Sequence, residues 1–480
     1  VRTGDSTGGQ LSRPSEIVGQ TADAFRRLDA WAEDGRPPDD AGWRQLLAEH
    51  GACFEGRPYP VLDRPLVLTV EQVAAVFDAS AAVADLLELA LDVYAAQPDV
   101  RRRLFAEYEP LAADLCGEVP YAPRIQVSRL DGVWDGAAGV FRVLETNTAC
   151  PGGVVQTGLV TRLWLTTPAA AVALRGLEHV ALPIVDDRHL FARTLVEAAT
   201  SMGRAPSNAA VVNLRGVYRN EVDHIVRSLS ALGLSARLVD ARDVSLRDGV
   251  PAVDGVPQHL LYNKLDPLAL LSDPELDRYR SAFRAGRSCF VSSLPAQLVS
   301  EDKAVLALLT DPDYADLLPP AQRRLVERTV PWTRLLRAGS ARLPGGERGN
   351  LLDFVESERA RLVLKPANAT RGDGVVHGVE TDGPRWRRDV AAALDRRYVV
   401  QERVAQPTLP LRPGERRPRH VGLDCFVFGG RPVGLHARAS TDLTVNVGKG
   451  ASVLPVVRVA VSAGAERRVP PVAVAHADVR

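Results

Sequence analysis

Two short segments carry side chains whose types and spacing suit phosphate chemistry. "SRLDG" sets Arg129 two residues before Asp131, and "VLETNTACPGG" sets Glu145 two residues before Asn147. On an extended strand, residues i and i+2 share a face, so each pair projects from one side. Residues 124–150 read as a hairpin with its turn at Asp135–Gly139. That register opposes Trp134 to Val140, Asp131 to Val143 and Arg129 to Glu145, and directly opposed residues share a face. Arg129, Asp131, Glu145 and Asn147 then form one cluster of three oxygen-bearing side chains and a guanidinium. A hard cation such as Mg²⁺ takes carboxylate and amide oxygens and keeps positions open for phosphate. A turn at Asp131-Gly132 would instead disperse the cluster. Taken alone, a strand end meeting water also accounts for Glu145 and Asn147.

Lysine usage is the second signal. Of 59 basic residues only four are lysines: Lys264, Lys303, Lys365 and Lys449. A chain that uses arginine almost everywhere keeps lysine where a compact point charge on a thin stem is needed. The settings are motif-like: "LLYNKLD", "SEDKAV", "LVLKPANATRGDG" and "NVGKGAS". Lys303 falls in the first turn of the helix expected over 296–310, where a cation opposes the helix dipole and needs another reason to be present. Lys365 ends an apolar run. The loop after it holds Gly372 and Gly374, which could bring backbone N–H groups close to phosphate. It is neither a Walker A loop nor a dinucleotide-binding GxGxxG. Arg438 lies in the second strand of a hairpin over 420–440. Asn213 and Arg215 end a strand where open α/β sheets place ligands.

The elements that must hold these residues follow from periodicity. Residues 1–120 read as mostly helical, residues 208–265 as strand–helix–strand, and residues 361–404 as strand–loop–strand–helix–strand. At 480 residues, with 46% apolar and 25% charged residues, the chain is long enough for several lobes and a large core. A formal net charge of zero gives no electrostatic case for a nucleic-acid or membrane partner. The first ten residues lack an apolar signal-like core, and no run is long enough to span a bilayer. Five scattered cysteines show neither zinc spacing nor a disulfide framework, which predicts a reduced, cytoplasmic setting. Cys150 reads as a small packing residue, and no Ser-His-Asp or Cys-His arrangement is visible.

From about residue 121 onward, the order of these motifs resembles the circularly permuted ATP-grasp ligases, the group that includes the synthetase half of glutathionylspermidine synthase. The resemblance implies an α/β fold: a circularly permuted ATP-grasp domain with a helical N-terminal region and a small pre-ATP-grasp-like α/β subdomain. The implied divisions are 1–120 (helical), 121–200 (metal-binding hairpin and flanks), 205–295 (small α/β subdomain) and 296–480 (ATP-binding lobes). Carried over residue by residue, it assigns Asp131, Glu145 and Asn147 to Mg²⁺, two ions being expected, and Arg129 to the transferred phosphate. Lys303 and Lys365 would grip the ATP phosphates under the Gly372–Gly374 loop. "YVVQERV" would be the hinge strand at the adenine, through Gln401, Glu402 and the backbone near Val404. Arg438 would stabilise phosphate or a substrate carboxylate, and Lys449 would sit in a mobile segment near the nucleotide. The sequence departs from the group in lacking an amidase domain and in having Ala-Cys before the proline of "TNTACPGG". The implied activity is ATP-dependent amide-bond formation between a small-molecule or peptide carboxylate and an amine, through an acyl phosphate, in bacterial biosynthesis. A small-molecule kinase and a non-catalytic ATP-binding scaffold are the alternatives. Members of the group are often homodimers.

Overall fold

The computed structural model describes residues 19–34, 40–203, 205–215, 221–411, 415 and 417–460; the polar first ten residues lie outside them. Helices α1 (Gly19–Glu33) and α2 (Asp40–Glu49) come first, followed by strand β1 (Leu66–Thr69). Thr69 then caps the long helix α3 (Val70–Ala96). The Thr69 hydroxyl accepts the N–H of Gln72, whose side chain accepts the N–H of Thr69, so two orphan donors are satisfied reciprocally. Apolar residues along one face of α3, among them Val76, Val83, Leu87 and Leu91, are buried. Asp78, Asp85 and Asp92 on the opposite face are exposed, so the helix lays one broad apolar stripe on the core and turns its acidic face to solvent.

The hairpin read from the sequence is present as β2 (Val127–Asp135) and β3 (Val140–Asn147), followed by helix α4 (Gln156–Leu165). A parallel unit comes next: β4 (Asn208–Asn213), helix α5 (Val222–Ala231), β5 (Ser235–Asp240), β6 (Leu260–Asn263) and β7 (Cys289–Val291). Its sheet order is β7-β6-β4-β5 with every pairing parallel. Strands β4, β6 and β7 are almost continuously apolar and buried, as expected of a sheet covered on both faces, while the edge strand β5 is only partly buried.

After helix α6 (Ala304–Thr310), strands β8 (Thr333–Leu335), β9 (Leu362–Pro366), β10 (Val376–His377) and β11 (Tyr398–Glu402) form an antiparallel sheet of order β8-β11-β9-β10. Strands β12 (Arg419–Phe428), β13 (Arg431–Ser440) and β14 (Ser452–Leu454) then return to the early hairpin. The large sheet runs β14-β13-β12-β2-β3, every pair antiparallel, so chain from both halves builds one surface. Helix α3 packs against β3, β12 and β13 of this sheet. The architecture is mixed α/β, as the sequence predicts.

Two local expectations need correction. The stretch 296–310 is not one capped α-helix. A π-turn spans Ala296–Ser300, and α6 begins at Ala304 with Lys303 just before it. The cap is the buried Asp302, whose carboxylate accepts the N–H of Ala304 at 2.8 Å. The hairpin register also differs from the expected one. Beside the turn, Asp135 opposes Val140, Trp134 opposes Phe141 and Gly132 opposes Val143; the register then shifts, and Asp131 opposes Glu145 while Arg129 opposes Asn147. Continued without the shift, the pairing near the turn would set Leu144 against Asp131 and send Glu145 and Asn147 to the other face. Leu144 is thus the extra residue of a β-bulge, and the bulge puts all four side chains on one face.

Candidate functional site

The face created by that bulge carries a dense set of charges. Arg129 donates from Nε and Nη2 to the two carboxylate oxygens of Asp131, at 2.6 and 2.9 Å, and from Nη1 to the carbonyl of Gly152 at 2.8 Å. Arg438 on β13 donates from Nη2 to Asp131 at 2.8 Å and to Asp424 at 2.7 Å. Asp424 opposes Asp131 across the β12–β2 ladder and is fully buried. Burial favours the neutral form of both carboxyls, but Arg129 and Arg438 outweigh it at Asp131 and hold that group below the usual carboxylate range. At Asp424 burial prevails over the pull of Arg438, with repulsion from Asp131 adding to the rise. Beside it, burial and the two arginines keep the His436 imidazole neutral.

Glu145 faces the lysines. Lys303 Nζ lies 3.1 Å from the Glu145 carboxylate and donates to the carbonyl of Ala369 at 2.9 Å. That ion pair is the reason a cation is kept just before α6. Lys365 Nζ donates to Gln401 Oε1 at 2.6 Å and to the carbonyl of Leu144 at 3.0 Å. The bulge therefore does two jobs, since the residue it inserts also anchors the lysine of β9. Burial lowers the Lys365 ammonium from 10.5 to about 8; Glu145 opposes that shift and Lys303 adds to it.

The structure brings some of the sequence-derived residues together and sets others apart. Arg129, Asp131, Glu145, Lys303, Lys365 and Arg438 form one ionic cluster. Asn147 opposes Arg129 in the ladder, and its side-chain amide reaches the carbonyl of Arg129 at 3.4 Å. Gln401 is buried, spent on Lys365 and on the Thr333 hydroxyl at 3.0 Å, so its place is behind the lysine. Glu402 pairs with Arg361 at 3.1 Å. Together with Val404, Trp332 and Arg142, it lines a separate cavity of about 650 Å³. Lys449 stands apart from the cluster, half-exposed, 3.0 Å from Asp373 on the glycine loop. A second contact, between His377 Nε2 and the Thr444 hydroxyl at 3.0 Å, ties the same two segments. Gly372 and Gly374 both have left-handed backbone, φ +70° and +71°. A Cβ on Gly374 would lie 2.7 Å from both Pro366 Cγ and Tyr398 Oη, so only glycine fits there. Arg215 is mostly exposed and pairs with Asp243, while Asn213 is buried. Cys150 donates its thiol to the carbonyl of Leu265 at 3.2 Å, and burial pushes it up to about 12, which removes thiolate chemistry.

Two cavities meet at the cluster. One, about 100 Å³, is lined by Asp131, Glu145, Lys365, Gly372 and Arg438; the other, about 310 Å³, by Arg129, Asn147, Lys264, Glu301 and Arg438. Asn446 also lines both. Sequence reasoning missed Asp424, Glu301 and the anchoring role of Gln401. A lone acid inside the apolar run "GLDCFVF" was the available signal for Asp424; the other two carry none.

Among the described residues no group of three His, Cys, Asp or Glu side chains is arranged to hold a metal ion. The candidate set has only two carboxylates, with an amide as third donor. These are nonetheless the oxygen donors that Mg²⁺ prefers; Asp131 Oδ2 accepts from both arginines, but Asp131 Oδ1 and the Glu145 oxygen beside Lys303 each keep a further lone pair. Asp424 Oδ2 is buried without a hydrogen-bond partner, so the cluster is not internally complete. No helix among the described residues is long and apolar enough to cross a membrane.

The sequence matches no family model and none of the curated proteins. Solved structures that overlap it include a protein assigned as a gamma-glutamylcysteine synthetase from Methylobacillus flagellatus. It is 12% identical, with 78% of this chain and 87% of that one covered, at a TM-score of 0.41. Another is a RimK domain ATP-grasp protein from Sphaerobacter thermophilus, 15% identical, covering 51% of this chain and 89% of that one at a TM-score of 0.26. Overlaps this distant leave the activity to be argued from the site itself.

Proposed function

We propose that the protein is an ATP-dependent carboxylate–amine ligase of the ATP-grasp type, forming an amide through an acyl phosphate. One observation carries the reading: two lysines and Arg438 from separate segments converge on a bulged hairpin face bearing Arg129, Asp131, Glu145 and Asn147. The nucleotide would lie between the two antiparallel sheets. Its base would point to the hinge around Glu402–Val404 and its phosphates to Lys303 and Lys365, under the Gly372–Gly374 loop.

A carboxylate is a poor acylating agent because its leaving group would be oxide. Attack of a carboxylate oxygen on the terminal phosphorus releases ADP and gives an acyl phosphate; attack of an amine on that carbonyl releases phosphate. The difficulty is moving a highly charged phosphoryl group onto an anion, and fixed positive charge with tight positioning supplies most of that catalysis. Arg129 and Arg438, pinned by Asp131 and Asp424, are preorganised for that charge and need no rearrangement as it develops. When bound by Asp131, Glu145 and Asn147, Mg²⁺ would add further neutralisation at the phosphate oxygens. The glycine loop and the segment carrying Lys449 are suited to close over a water-sensitive intermediate.

The test is an ADP-release screen of the full chain with ATP, Mg²⁺ and pooled carboxylic acids, amino acids and amines, followed by mass spectrometry of the product. An amide product with ADP is expected. A stable phosphorylated product would make the protein a kinase, and absence of ADP with every pool would remove catalysis altogether.

A further inference from the structure

The 310 Å³ cavity shares Arg438 and Asn446 with the cavity at the phosphate cluster, so whatever fills it lies against the reacting centre. It opens where the parallel strands end: Asn213 closes β4, and Lys264 and Asp266 follow β6. Crevices at the carboxyl ends of parallel strands are where open α/β sheets bind small molecules. Its volume is at the low end of the ~300–1,000 Å³ of small-molecule sites.

The segment 148–151, whose Cys150 and Pro151 line the cavity, is bipolar. At its start, one carboxylate oxygen of Glu301 accepts the N–H groups of Thr148 and Ala149. At its end, the carbonyls of Cys150 and Pro151 accept the Lys264 ammonium at 3.3 and 2.7 Å. Lys264 has three donors and these carbonyls take two of them. Glu221 lies 3.6 Å away, an ion-pair distance outside hydrogen-bond range, and spends its carboxylate on the N–H groups of Gly153, Val155 and Gln156. A rigid peptide thus holds a negative group and a positive group at its two ends, both on the cavity wall. Four residues of chain span at most ~14 Å, so a ligand that answers both charges is short.

We propose that this cavity binds a free amino acid, with its ammonium on Glu301 and its carboxylate toward Lys264. This rests on the ligase reading and deepens it. Glu301 stands two residues before Lys303 and bonds the residue after Asn147, so the amino group is held beside the phosphate cluster, where an attacking amine belongs. Burial holds the Glu301 carboxyl up at about 7 despite its two N–H donors and Lys303; a bound ammonium supplies counter-charge at that point.

The experiment is ligand-observed NMR on the full chain with Mg²⁺ and the non-hydrolysable analogue AMP-PNP, using the pooled proteinogenic amino acids as probe. At least one should bind. Its amide and its N-acetyl derivative, each lacking one charge, should both bind more weakly to the wild-type protein. Glu301→Gln and Lys264→Met should each weaken the parent amino acid by roughly 10- to 100-fold, the usual worth of a hydrogen bond to a charged group. AMP-PNP binding without binding of any amino acid overturns this proposal alone. So does equal binding of the parent amino acid and both derivatives. Failure of AMP-PNP to bind the wild-type protein overturns the nucleotide reading and this one with it.

Discussion

Glu145 and Lys365 are the residues on which the site turns. Glu145 pairs with Lys303, and the same carboxylate is a candidate metal donor. Glu145→Gln keeps the shape and removes the charge. It should lower ADP release by on the order of 10²–10³, the cost of losing one fixed electrostatic stabiliser, with folding retained; an unchanged rate would remove Glu145 from the mechanism. Lys365 has its ammonium lowered to about 8 by burial. Between that value and the ordinary 10.5 the unfolded chain holds the proton that the folded chain has lost. The folded state is therefore penalised in full below about pH 8, and its stability rises as pH climbs through that window. Nucleotide affinity should move the other way, because phosphate needs the protonated amine. AMP-PNP titrations from about pH 7 to about pH 9.5 should show binding weakening above about 8, and Lys365→Met should abolish that dependence.

Among the elements, the bulged hairpin and the glycine loop decide most. The bulge at Leu144 brings Glu145 and Asn147 to the face of Arg129 and Asp131, and it frees a carbonyl that holds Lys365. The glycine loop presses on β9 and β11 so closely that Gly374 admits no Cβ. Gly374→Ala should cost about 1–2 kcal/mol from the left-handed backbone alone, with the contacts to Pro366 and Tyr398 adding to it. Because the loop must shift, nucleotide KM should rise too. Gly139→Ala is the matched control: φ is +65° in the hairpin turn, but no atom lies within 4 Å of the added Cβ. Denaturant unfolding should find both variants destabilised, and only Gly374→Ala should change KM. Equal KM values would mean that the loop does not cover the nucleotide.

For the whole molecule, the consequence is that the site belongs to no single sheet. Lys365 comes from the four-stranded antiparallel sheet, Asp131, Glu145 and Arg438 from the large sheet, and Lys303 from the start of α6. A ligand bridging them should stabilise the chain as a unit. At about 100 times its Kd, AMP-PNP with Mg²⁺ should add about 2.7 kcal/mol to unfolding. Hydrogen exchange should slow together at residues 370–374 and 444–450, the two segments joined by the Lys449–Asp373 pair. Protection of one segment without the other would separate them functionally.

The amino-acid order by itself determined the elements and most of the charged inventory. Alternation, helical spacing and turn residues are local properties, and they are legible in the β2–β3 hairpin, in α3 and in the parallel unit. Four lysines in an arginine-rich chain marked positions worth watching. The tertiary structure decided which of these residues meet. The hairpin register differed from the expected one, because a bulge depends on how β2 pairs with β12 and how Leu144 meets Lys365, and neither contact is local in sequence. Asp424 enters the site only because β12 lies beside β2 and sets it opposite Asp131. Gln401 faces a lysine in place of an open hinge because β9 and β11 are paired. Periodicity acts over a few residues, whereas register, burial and charge pairing are set by partners tens to hundreds of residues away.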